Sequence, residues 1–435
     1  MNKAIFIEKN LFPIETDKYL YGFEADYLLY SPLSMSFVFM EKEELADLNK
    51  ELASDRKTKN EEIQSQLIDL AVVPEGNYAH SPQEVFALTI LPNNICNFSC
   101  SYCYAAKGHS KDTLSKAKLK RVLDFFIDPD RISQRDLYIS FGGGGEPFIS
   151  WDIMKYAIEY GSNLAEKYGF RLNFSFASNG SIINDEIIET IKKYHVKSNI
   201  SFDILEGIQN LQRKNYHQVC ATLDALLAND IYPTINAVIT PVNVALQEQM
   251  VEHIHHRFPK LRRLSFDSVV DGNLFDSPDG LNTFYDEYIT HFFRAQELGE
   301  TYGISVSCIK HHNMELIKTR ACAGGFDLTP EGKFSMCFFV SSPKENLYDE
   351  FIYGEVTDNS LRFDEDKFKR LVAYNAEKNQ RCHSCFIKWH CGGGCLYHSK
   401  AYSREMLDVM CNFQRKFSFI SLLTNVTTFK DLTLR

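Results

Sequence analysis

The sequence predicts an α/β protein built around a partial parallel βα barrel, and three observations support this prediction. From residue 84 to 303, short β-branched or aromatic runs alternate with amphipathic helical stretches, as in βα units around a parallel sheet. Residues 1–83 contain aromatic-rich runs followed by helical stretches, which is typical of a small α+β module. Residues 304–435 contain seven closely spaced cysteines between Cys322 and Cys411. We therefore expect three domains, at 1–83, 84–303 and 304–435.

The N-terminal module is predicted to combine short strands with helices. Aromatic-rich runs at 19–21, 27–30 and 36–39 predict strands, and helical patterns cover 42–53 and 60–70. A few strands with helices would suit a winged-helix shape. An inert cap on the barrel is an equal alternative.

The central domain is predicted to form a partial (β/α)6 barrel of the TIM type. Its strands are expected at 84–91, 136–141, 171–177, 198–204, 232–240 and 262–270. Helices are expected at 113–127, 151–168, 184–195, 215–229 and 245–257. Ligands of such barrels bind at the carboxyl ends of the strands, so the loop after the first strand is a candidate site.

Composition excludes several classes of partner. The chain has 435 residues and a net charge of -10, which argues against a nucleic-acid binder with a basic face. No stretch approaches the roughly 18 apolar residues that span a bilayer, and residues 1–9 lack signal-peptide anatomy. We expect a cytoplasmic protein with neither a membrane nor a nucleic acid as partner.

The loop after the first predicted strand carries three cysteines, Cys96, Cys100 and Cys103. In a reducing compartment such a set indicates metal ligation rather than disulfides. Structural metal sites use four protein ligands, whereas three ligands leave a position for substrate or cofactor. The set therefore predicts a catalytic metal site. A zinc knuckle or three buried thiols are the alternatives.

The spacing of these cysteines, with Tyr102 directly before the third, resembles the radical S-adenosylmethionine (SAM) superfamily. The resemblance implies a 4Fe–4S cluster whose open iron chelates the amino and carboxylate groups of SAM. One electron then cleaves SAM to methionine and a 5′-deoxyadenosyl radical, which removes a hydrogen atom from substrate. It also implies an oxidoreductase in an anaerobic or protected setting, with an electron donor of the flavodoxin or ferredoxin type.

Further SAM contacts are implied by residues at the ends of the second and third strands. The family's Gly-Gly-Glu-Pro element matches Gly144, Gly145, Glu146 and Pro147, although two more glycines precede it here. Glu146 would place negative charge near the SAM amino group, or would cap the next helix. Ser178 and Asn179 end strand three, where the family contacts SAM, but an ordinary Asn-Gly turn is an equal explanation for Asn179.

Two cysteines and one aspartate have less certain roles in the sequence. Asp203 lies in a Ser-x-Asp element resembling that of the family, but Ile204 replaces the usual glycine, which weakens any role for Asp203. Cys220 lies on an apolar helical face and is interpreted as a buried thiol. Cys308 could serve as an additional metal ligand or could belong to the core.

The C-terminal cysteines match the seven-cysteine SPASM pattern, which holds two auxiliary 4Fe–4S clusters. By this resemblance, one cluster has three ligands and the other has four, giving three clusters in the whole protein. The ligands would be Cys322, Cys337 and Cys395 for the first auxiliary cluster, and Cys382, Cys385, Cys391 and Cys411 for the second. Cys308 could complete the first, or its open iron could bind a substrate thiolate. A double zinc ribbon is the alternative.

SPASM proteins are mostly peptide modifiers or sulfatase maturases. In the maturases an aspartate that serves as base follows the second SPASM cysteine, whereas Phe338 follows Cys337 here, which argues against formylglycine formation. The expected activity is a thioether or carbon–carbon crosslink in a ribosomally made precursor peptide, whose leader the N-terminal module would bind. A sulfatase maturase and a non-catalytic iron–sulfur carrier or leader-binding scaffold are the other hypotheses. The sequence identifies no catalytic base.

Overall fold

The computed structural model describes residues 3–54, 57–73, 79–270, 274–275, 277–322 and 324–435. Over these residues the strands form a three-stranded antiparallel sheet near the N-terminus and an eleven-stranded mixed sheet. The order of the larger sheet runs from the end of the barrel, through its first strand, into the cysteine-rich C-terminal region. The two regions are therefore joined by backbone hydrogen bonds as well as by the chain.

The N-terminal module has the α+β content that the sequence predicts. Its elements are α1 (Lys3–Glu8), β1 (Phe12–Glu15), β2 (Tyr27–Ser31), β3 (Ser36–Met40), α2 (Lys42–Ala53) and a π-helical turn (Ile63–Ile68). The antiparallel order is β1-β2-β3. A capping box between Glu41 and Glu44 fixes the start of α2.

The predicted strand at 19–21 is wrong, because the first strand is β1. Tyr19 follows a short 3-10 helix, and its ring packs 4.8 Å from that of Phe419. Leu20 makes only an isolated bridge to Leu434. The aromatic residues of this run therefore serve contacts with the distant C-terminal segment, while Pro13 is tolerated in β1 because β1 is an edge strand.

The six predicted barrel strands and the five predicted helices are confirmed, and the structure adds one short helix. The strands are β4 (Ala87–Ile90), β5 (Asp136–Phe141), β6 (Arg171–Ser178), β7 (Lys197–Ser201), β8 (Thr234–Ile239) and β9 (Arg263–Ser268). The helices are α3 (Lys116–Phe126), α4 (Trp151–Tyr168), α5 (Asp185–Lys193), α6 (Glu206–Gln212), α7 (Tyr216–Ala228) and α8 (Gln247–Arg257). Neighbouring strands pair in parallel in chain order.

The parallel sheet gains one further strand beyond the predicted six. After α9 (Pro278–Thr301), β10 (Ser305–Ser307) pairs in parallel with β9. Residue 304 was the expected start of the C-terminal domain, yet β10 extends the barrel. A strand of three residues has too little alternation to be recognised in sequence.

The two faces of the barrel sheet differ in polarity. Residues on one face are buried among the helices, as the alternating burial of β5 shows. The opposite face carries small polar side chains, and the hydroxyls of Thr89 and Ser140 lie 3.2 Å apart across β4 and β5. Register places Ser175 beside Ser140, and Asn236 beside Ser265. The inside of the barrel is therefore polar, as a ligand-binding space requires.

The cysteine-rich region begins beside the first barrel strand. Its elements are α10 (Ile309–Asn313), β11 (Asp327–Leu328), β12 (Lys333–Ser335), α11 (Tyr348–Phe351), β13 (Ile352–Val356), β14 (Leu361–Phe363), α12 (Glu365–Val372), α13 (Lys388–Cys391), α14 (Leu396–Ala401) and α15 (Arg404–Leu423). β11 pairs in parallel with β4, and β12, β13 and β14 follow in antiparallel order.

The N-terminal module packs against the cysteine-rich region. The hydroxyl of Tyr30 lies 2.5 Å from Nε2 of His390, and the indole N–H of Trp389 donates to Oδ1 of Asn10 at 3.0 Å. The N-terminal module therefore covers part of the cysteine-rich region. Among the described helices, none combines the length and the apolarity that crossing a bilayer requires.

Candidate active site

The structure brings the three cysteines of the first loop together at the carboxyl end of β4. Burial raises the pKa of Cys100 to about 11, the Arg213 charge lowers it, and the charges of Cys103 and Cys96 raise it further. All three thiols therefore lie within electrostatic range of one another. The backbone N–H of Ser101 donates to the carbonyl of Gln212 at 2.9 Å and holds this loop against the segment after α6.

The glycine turn after β5 packs directly against the cysteine loop. The N–H of Gly145 donates to the Asn93 carbonyl at 3.1 Å, and that of Glu146 donates to the Ile95 carbonyl at 2.8 Å. A Cβ at Gly145 would lie 2.5 Å from Oδ1 of Asn93, and nearer still to the Ile95 carbonyl oxygen. Gly144 has φ +63°, a conformation that favours glycine. The turn therefore needs these glycines to meet the loop.

Glu146 is buried, and the capping role is the one its contacts show. Its Oε1 accepts from the N–H of Phe148 at 3.1 Å and from the hydroxyl of Ser178 at 2.8 Å. Its Oε2 accepts from the N–H of Asn179 at 2.7 Å. Burial raises the pKa of Glu146, and these donors oppose that rise. Pro147 begins the short 3-10 helix that Glu146 caps.

Asn179 makes both the turn and a contact with the cysteine loop. Its Oδ1 accepts from the N–H of Ser181 at 2.9 Å, as in an Asn-initiated turn. Its Nδ2 donates to Oδ1 of Asn97 at 2.9 Å and lies 3.9 Å from Sγ of Cys96. Asn179 therefore makes the turn and also contacts the cysteine loop, and the ends of β4, β5 and β6 converge on one site.

Tyr102 belongs to a buried polar network behind the cysteines. Its hydroxyl lies 2.9 Å from both carboxylate oxygens of Asp203, to which Gln212 also donates at 3.2 Å. Burial raises the pKa of Asp203 to about 6, against the lowering effects of Arg213 and Tyr102. Ile204 adopts φ +65°, so the chain keeps the left-handed conformation that a glycine would favour. Asp203 is therefore part of this site despite the substitution.

Arg213 also belongs to this site, although the sequence did not indicate it. Its side chain is 6% exposed, and Nη1 donates to the Tyr102 hydroxyl at 3.0 Å. Its charge acts on Cys96, Cys100 and Cys103. Among the described residues, no hydrogen-bond acceptor faces its buried Nε. A guanidinium with a spare donor suits an anionic group of a ligand beside the three thiols.

Electrostatic interactions among the C-terminal cysteines divide them into two groups. Burial raises the pKa of Cys337, as do the charges of Asp327, Cys395 and Cys322. Burial likewise raises the pKa of Cys391 to about 12, and the charges of three other cysteines add to it. These three are Cys385, Cys382 and Cys411. Across the described residues, no three His, Cys, Asp or Glu side chains converge tightly enough to hold one metal ion.

Cys308 and Cys220 lie apart from these groups. Cys308 is buried and caps α10, where its sulfur accepts from the N–H of His311 at 3.4 Å. Burial raises the pKa of Cys308 to about 11, the charge of Asp267 adds to the rise, and the charge of Lys310 opposes it. Cys220 is a buried residue of α7.

Residues 90–255 match the sequence profile of the radical SAM superfamily. The barrel is a radical SAM domain. Enzymes of this superfamily use a 4Fe–4S cluster and SAM. The charges of the three cysteine thiols act on one another, and Arg213 provides a cation beside them.

Relatives of this chain include a named radical SAM enzyme and an uncharacterized protein. The chain is 21% identical to the radical SAM cyclopropyl synthase TigE of Paramaledivibacter caminithermalis over 74% of this chain and 70% of that protein. An uncharacterized protein of Methanocaldococcus jannaschii is 28% identical over 38% of this chain, and the match spans 57% of that relative's length.

Solved structures share the fold at low sequence identity. anSMEcpe with bound AdoMet superimposes with a TM-score of 0.59 at 16% identity, over 78% of this chain and 98% of that one. Streptococcus suis SuiB bound to its precursor peptide SuiA gives 0.51 at 13% identity, over 91% of this chain and 98% of that one. The second match covers most of the present chain.

A cavity of about 640 Å³ lies between the radical SAM domain and the cysteine-rich region. Cys103, Tyr104 and Lys107 line one side, and Phe339, Tyr397 and Lys400 line the other. The ring of Phe339 lies 4.4 Å from that of Tyr104 and 5.3 Å from that of Tyr397. An aromatic wall with cations near it suits a ligand larger than SAM alone.

Asp327 is a second residue whose position only the structure shows. It lies on β11 opposite Thr89 of β4 and is 5% exposed. Burial raises its pKa to about 7, and the nearby Thr89 hydroxyl and Phe338 N–H oppose the rise. In the sequence Asp327 is one aspartate among many, because nothing local marks it as facing the barrel interior.

Proposed function

We propose that this protein is a radical SAM peptide maturase that installs a thioether or carbon–carbon crosslink in a ribosomally made precursor peptide. The observation that carries the proposal is the cavity between the three-cysteine loop and the aromatic residues that follow Cys337 and Cys395. A substrate in this cavity would lie between Cys103 of the first loop and the segments that follow Cys337 and Cys395. The complex of SuiB with its precursor peptide SuiA supports a peptide as the substrate.

Cys96, Cys100 and Cys103 would hold the catalytic 4Fe–4S cluster, which supplies the electron that cleaves SAM. Arg213 would bind the SAM carboxylate, because its buried guanidinium has a donor to spare beside these thiols. Gly144 and Gly145 would offer backbone groups to the SAM amino end. Asp203 and Tyr102 would keep Arg213 in position.

The two C-terminal cysteine groups would hold auxiliary 4Fe–4S clusters that accept electrons from the oxidised product. One cluster would be bound by Cys322, Cys337 and Cys395, and the other by Cys382, Cys385, Cys391 and Cys411. Three cations lie near the second group, since the charges of Arg415, Lys388 and Arg381 act on its thiols. Such a face suits an acidic electron carrier of the flavodoxin or ferredoxin type.

The N-terminal module would bind the leader of the precursor peptide. In the order β1-β2-β3, the strand β3 is an edge of its sheet. Phe39 on β3 is 39% exposed, and the neighbouring Met35 is 42% exposed. An extended leader could pair with this edge and place apolar side chains beside these two residues.

Anaerobic co-expression with small peptides encoded beside this gene tests the proposal by mass spectrometry. A crosslinked product would be two hydrogens lighter than its precursor for each bond formed, and 5′-deoxyadenosine would accumulate with it. A Cys100→Ala variant, which loses one proposed cluster ligand, should yield neither. If the reduced wild-type protein cleaves SAM but leaves every such peptide unmodified, the proposed substrate class is wrong.

Two other functions give different products in the same experiment. A sulfatase maturase would convert a sulfatase-derived peptide to an aldehyde, which hydrazide reagents detect. An iron–sulfur carrier or a leader-binding scaffold would produce no 5′-deoxyadenosine after reduction by dithionite.

A further inference from the structure

The sheet of the N-terminal module is buried on two sides. Leu29 and Met40 belong to a core of the module's own, together with residues of α1 and α2. Phe12, Leu28 and Tyr30 belong to the main hydrophobic core instead. The strand register agrees with this division, because Phe12 and Tyr30 are cross-strand partners and so point to the same side of the sheet. One face of the module is therefore packed against the rest of the protein.

The module contacts consecutive residues of α13, the short helix that ends at Cys391. Nζ of Lys388 lies 5.6 Å from the ring centroid of Phe12, within the range of a cation–π contact. The indole N–H of Trp389 donates to Oδ1 of Asn10 at 3.0 Å. A helix of four residues is not stable on its own, so the position of α13 depends on contacts with neighbouring segments.

Tyr30 makes a fully buried contact with this helix. Its hydroxyl lies 2.5 Å from Nε2 of His390, and both residues are 1% exposed. Nδ1 of His390 lies 2.8 Å from the Leu316 carbonyl, which can only accept, so Nδ1 carries the hydrogen. The neutral ring then accepts from the Tyr30 hydroxyl at Nε2. These two hydrogen bonds join β2, through α13, to the segment that leads to Cys322.

The far end of α13 is closely packed. A Cβ at Gly392, directly after Cys391, would lie 2.3 Å from the carbonyl carbon of Arg320. Interiors of this density transmit a displacement rather than absorb it. A shift of His390 away from Tyr30 would therefore move Cys391 as well.

We propose that Tyr30 is a positioning residue for the second auxiliary cluster, on which it acts through His390 and α13; the inference rests on the proposed ligand role of Cys391. The reduction potential of a 4Fe–4S cluster depends on its burial and on the hydrogen bonds around its sulfurs. By holding α13 in place, Tyr30 keeps the surroundings of Cys391 packed. The N-terminal module thereby sets the potential of this cluster in addition to binding the leader.

The central test is an anaerobic redox titration of the cluster-loaded, full-length protein, followed by electron paramagnetic resonance. The signal that is lost in Cys382→Ala identifies the second cluster. In Tyr30→Phe, which removes only the hydroxyl, looser packing admits water near Cys391 and stabilises the more negatively charged reduced cluster. The midpoint potential of that signal should therefore rise, while the signal of the first-loop cluster stays as in wild type.

Tyr27→Phe is the matched control. Tyr27 lies on the same strand as Tyr30, but it packs against the module's own core on the opposite face of the sheet. Loss of its hydroxyl should leave the midpoint potential of the second cluster as in wild type.

A second measurement follows α13 directly. The N–H of Cys391 donates to the Ile387 carbonyl at 2.8 Å, and that of Gly392 donates to the Lys388 carbonyl at 2.9 Å. Hydrogen exchange of these amides, measured by mass spectrometry, should be about 5- to 30-fold faster in Tyr30→Phe, the factor expected for the loss of one buried hydrogen bond. Exchange in β5 should not change.

The outcomes separate the two proposals. If no signal of the wild-type protein depends on Cys382, the proposed second cluster is wrong, and the role of Tyr30 is refuted with it. If the signal is present but Tyr30→Phe titrates as Tyr27→Phe does, the role of Tyr30 alone is refuted. Faster exchange in α13 without a change in potential would show that Tyr30 only stabilises the fold, and it would also overturn the proposal.

Discussion

Gly145 should be indispensable for the SAM site, whereas Gly142 in the same turn should tolerate alanine. A Cβ at Gly145 would lie 2.5 Å from Oδ1 of Asn93, and the Ile95 carbonyl is nearer still. Ordinary contacts need roughly 1 Å more, and the Ile95 carbonyl is backbone that cannot rotate away. A Cβ at Gly142 would lie 3.5 Å from the Cβ of Ala177, an ordinary contact distance. The added methyl group therefore clashes with its neighbours in Gly145→Ala and makes an ordinary contact in Gly142→Ala.

The size of the effect follows from the cost of overpacking. Separating the glycine turn from the cysteine loop should cost about 1–3 kcal/mol. Because 1.4 kcal/mol corresponds to a factor of ten, SAM should bind roughly 5- to 150-fold more weakly to Gly145→Ala. Gly142→Ala should bind SAM within about twofold of wild type, well under 1 kcal/mol.

The assay is calorimetric titration of SAM into reconstituted protein under anaerobic conditions, with iron content measured on the same samples. Circular dichroism of both variants separates local from global effects. If Gly145→Ala binds SAM as tightly as wild type with a full iron content, the contact between turn and loop does not shape the site.

Three further predictions concern other parts of the site. Arg213→Met should weaken SAM binding at least tenfold, because a charge-assisted hydrogen bond contributes about 1.5–3 kcal/mol. In the same titration the SAM affinity of Arg213→Lys should lie between those of Arg213→Met and wild type. If Arg213→Met and wild type bind SAM equally, Arg213 does not belong to the SAM site. Cys308→Ala should leave the iron content and the electron paramagnetic resonance spectrum of the reconstituted protein unchanged, since the Cys308 sulfur is buried and caps α10. A loss of iron would make Cys308 a ligand. Tyr30→Phe removes the hydroxyl 2.5 Å from His390 and should cost about 1–2 kcal/mol. Limited proteolysis should then release the N-terminal module faster, and unchanged cleavage would show that this contact does not hold the module.

Much of the fold was predictable because each barrel strand carries its own signal. The six strands alternate buried and polar residues over four to eight positions, which is enough to identify them. β10 has three residues and β11 has two, so their membership in the sheet depends on neighbours far along the chain. The strand predicted at 19–21 failed for the related reason that Tyr19 packs against Phe419 of α15.

The candidate site was predictable where spacing carries the information. The cysteine groups and the glycine turn have fixed intervals, and within each cysteine group the thiol charges act on one another. Arg213 directly follows α6, and Asp327 lies on β11. Neither residue stands in a distinctive local pattern. Their importance comes from burial beside thiols and barrel strands, which is a property of the fold rather than of the local sequence.

The pairing of β4 with β11 bears on how the protein can be divided. A fragment ending at residue 303 would lack β11, so the hydrogen-bonding edge of β4 would face solvent, and it would also lack β10 beside β9. Exposed edges of this kind recruit other strands and lead to aggregation. The radical SAM domain should therefore resist production as a separate soluble piece, and the cysteine-rich region acts as part of its folding unit.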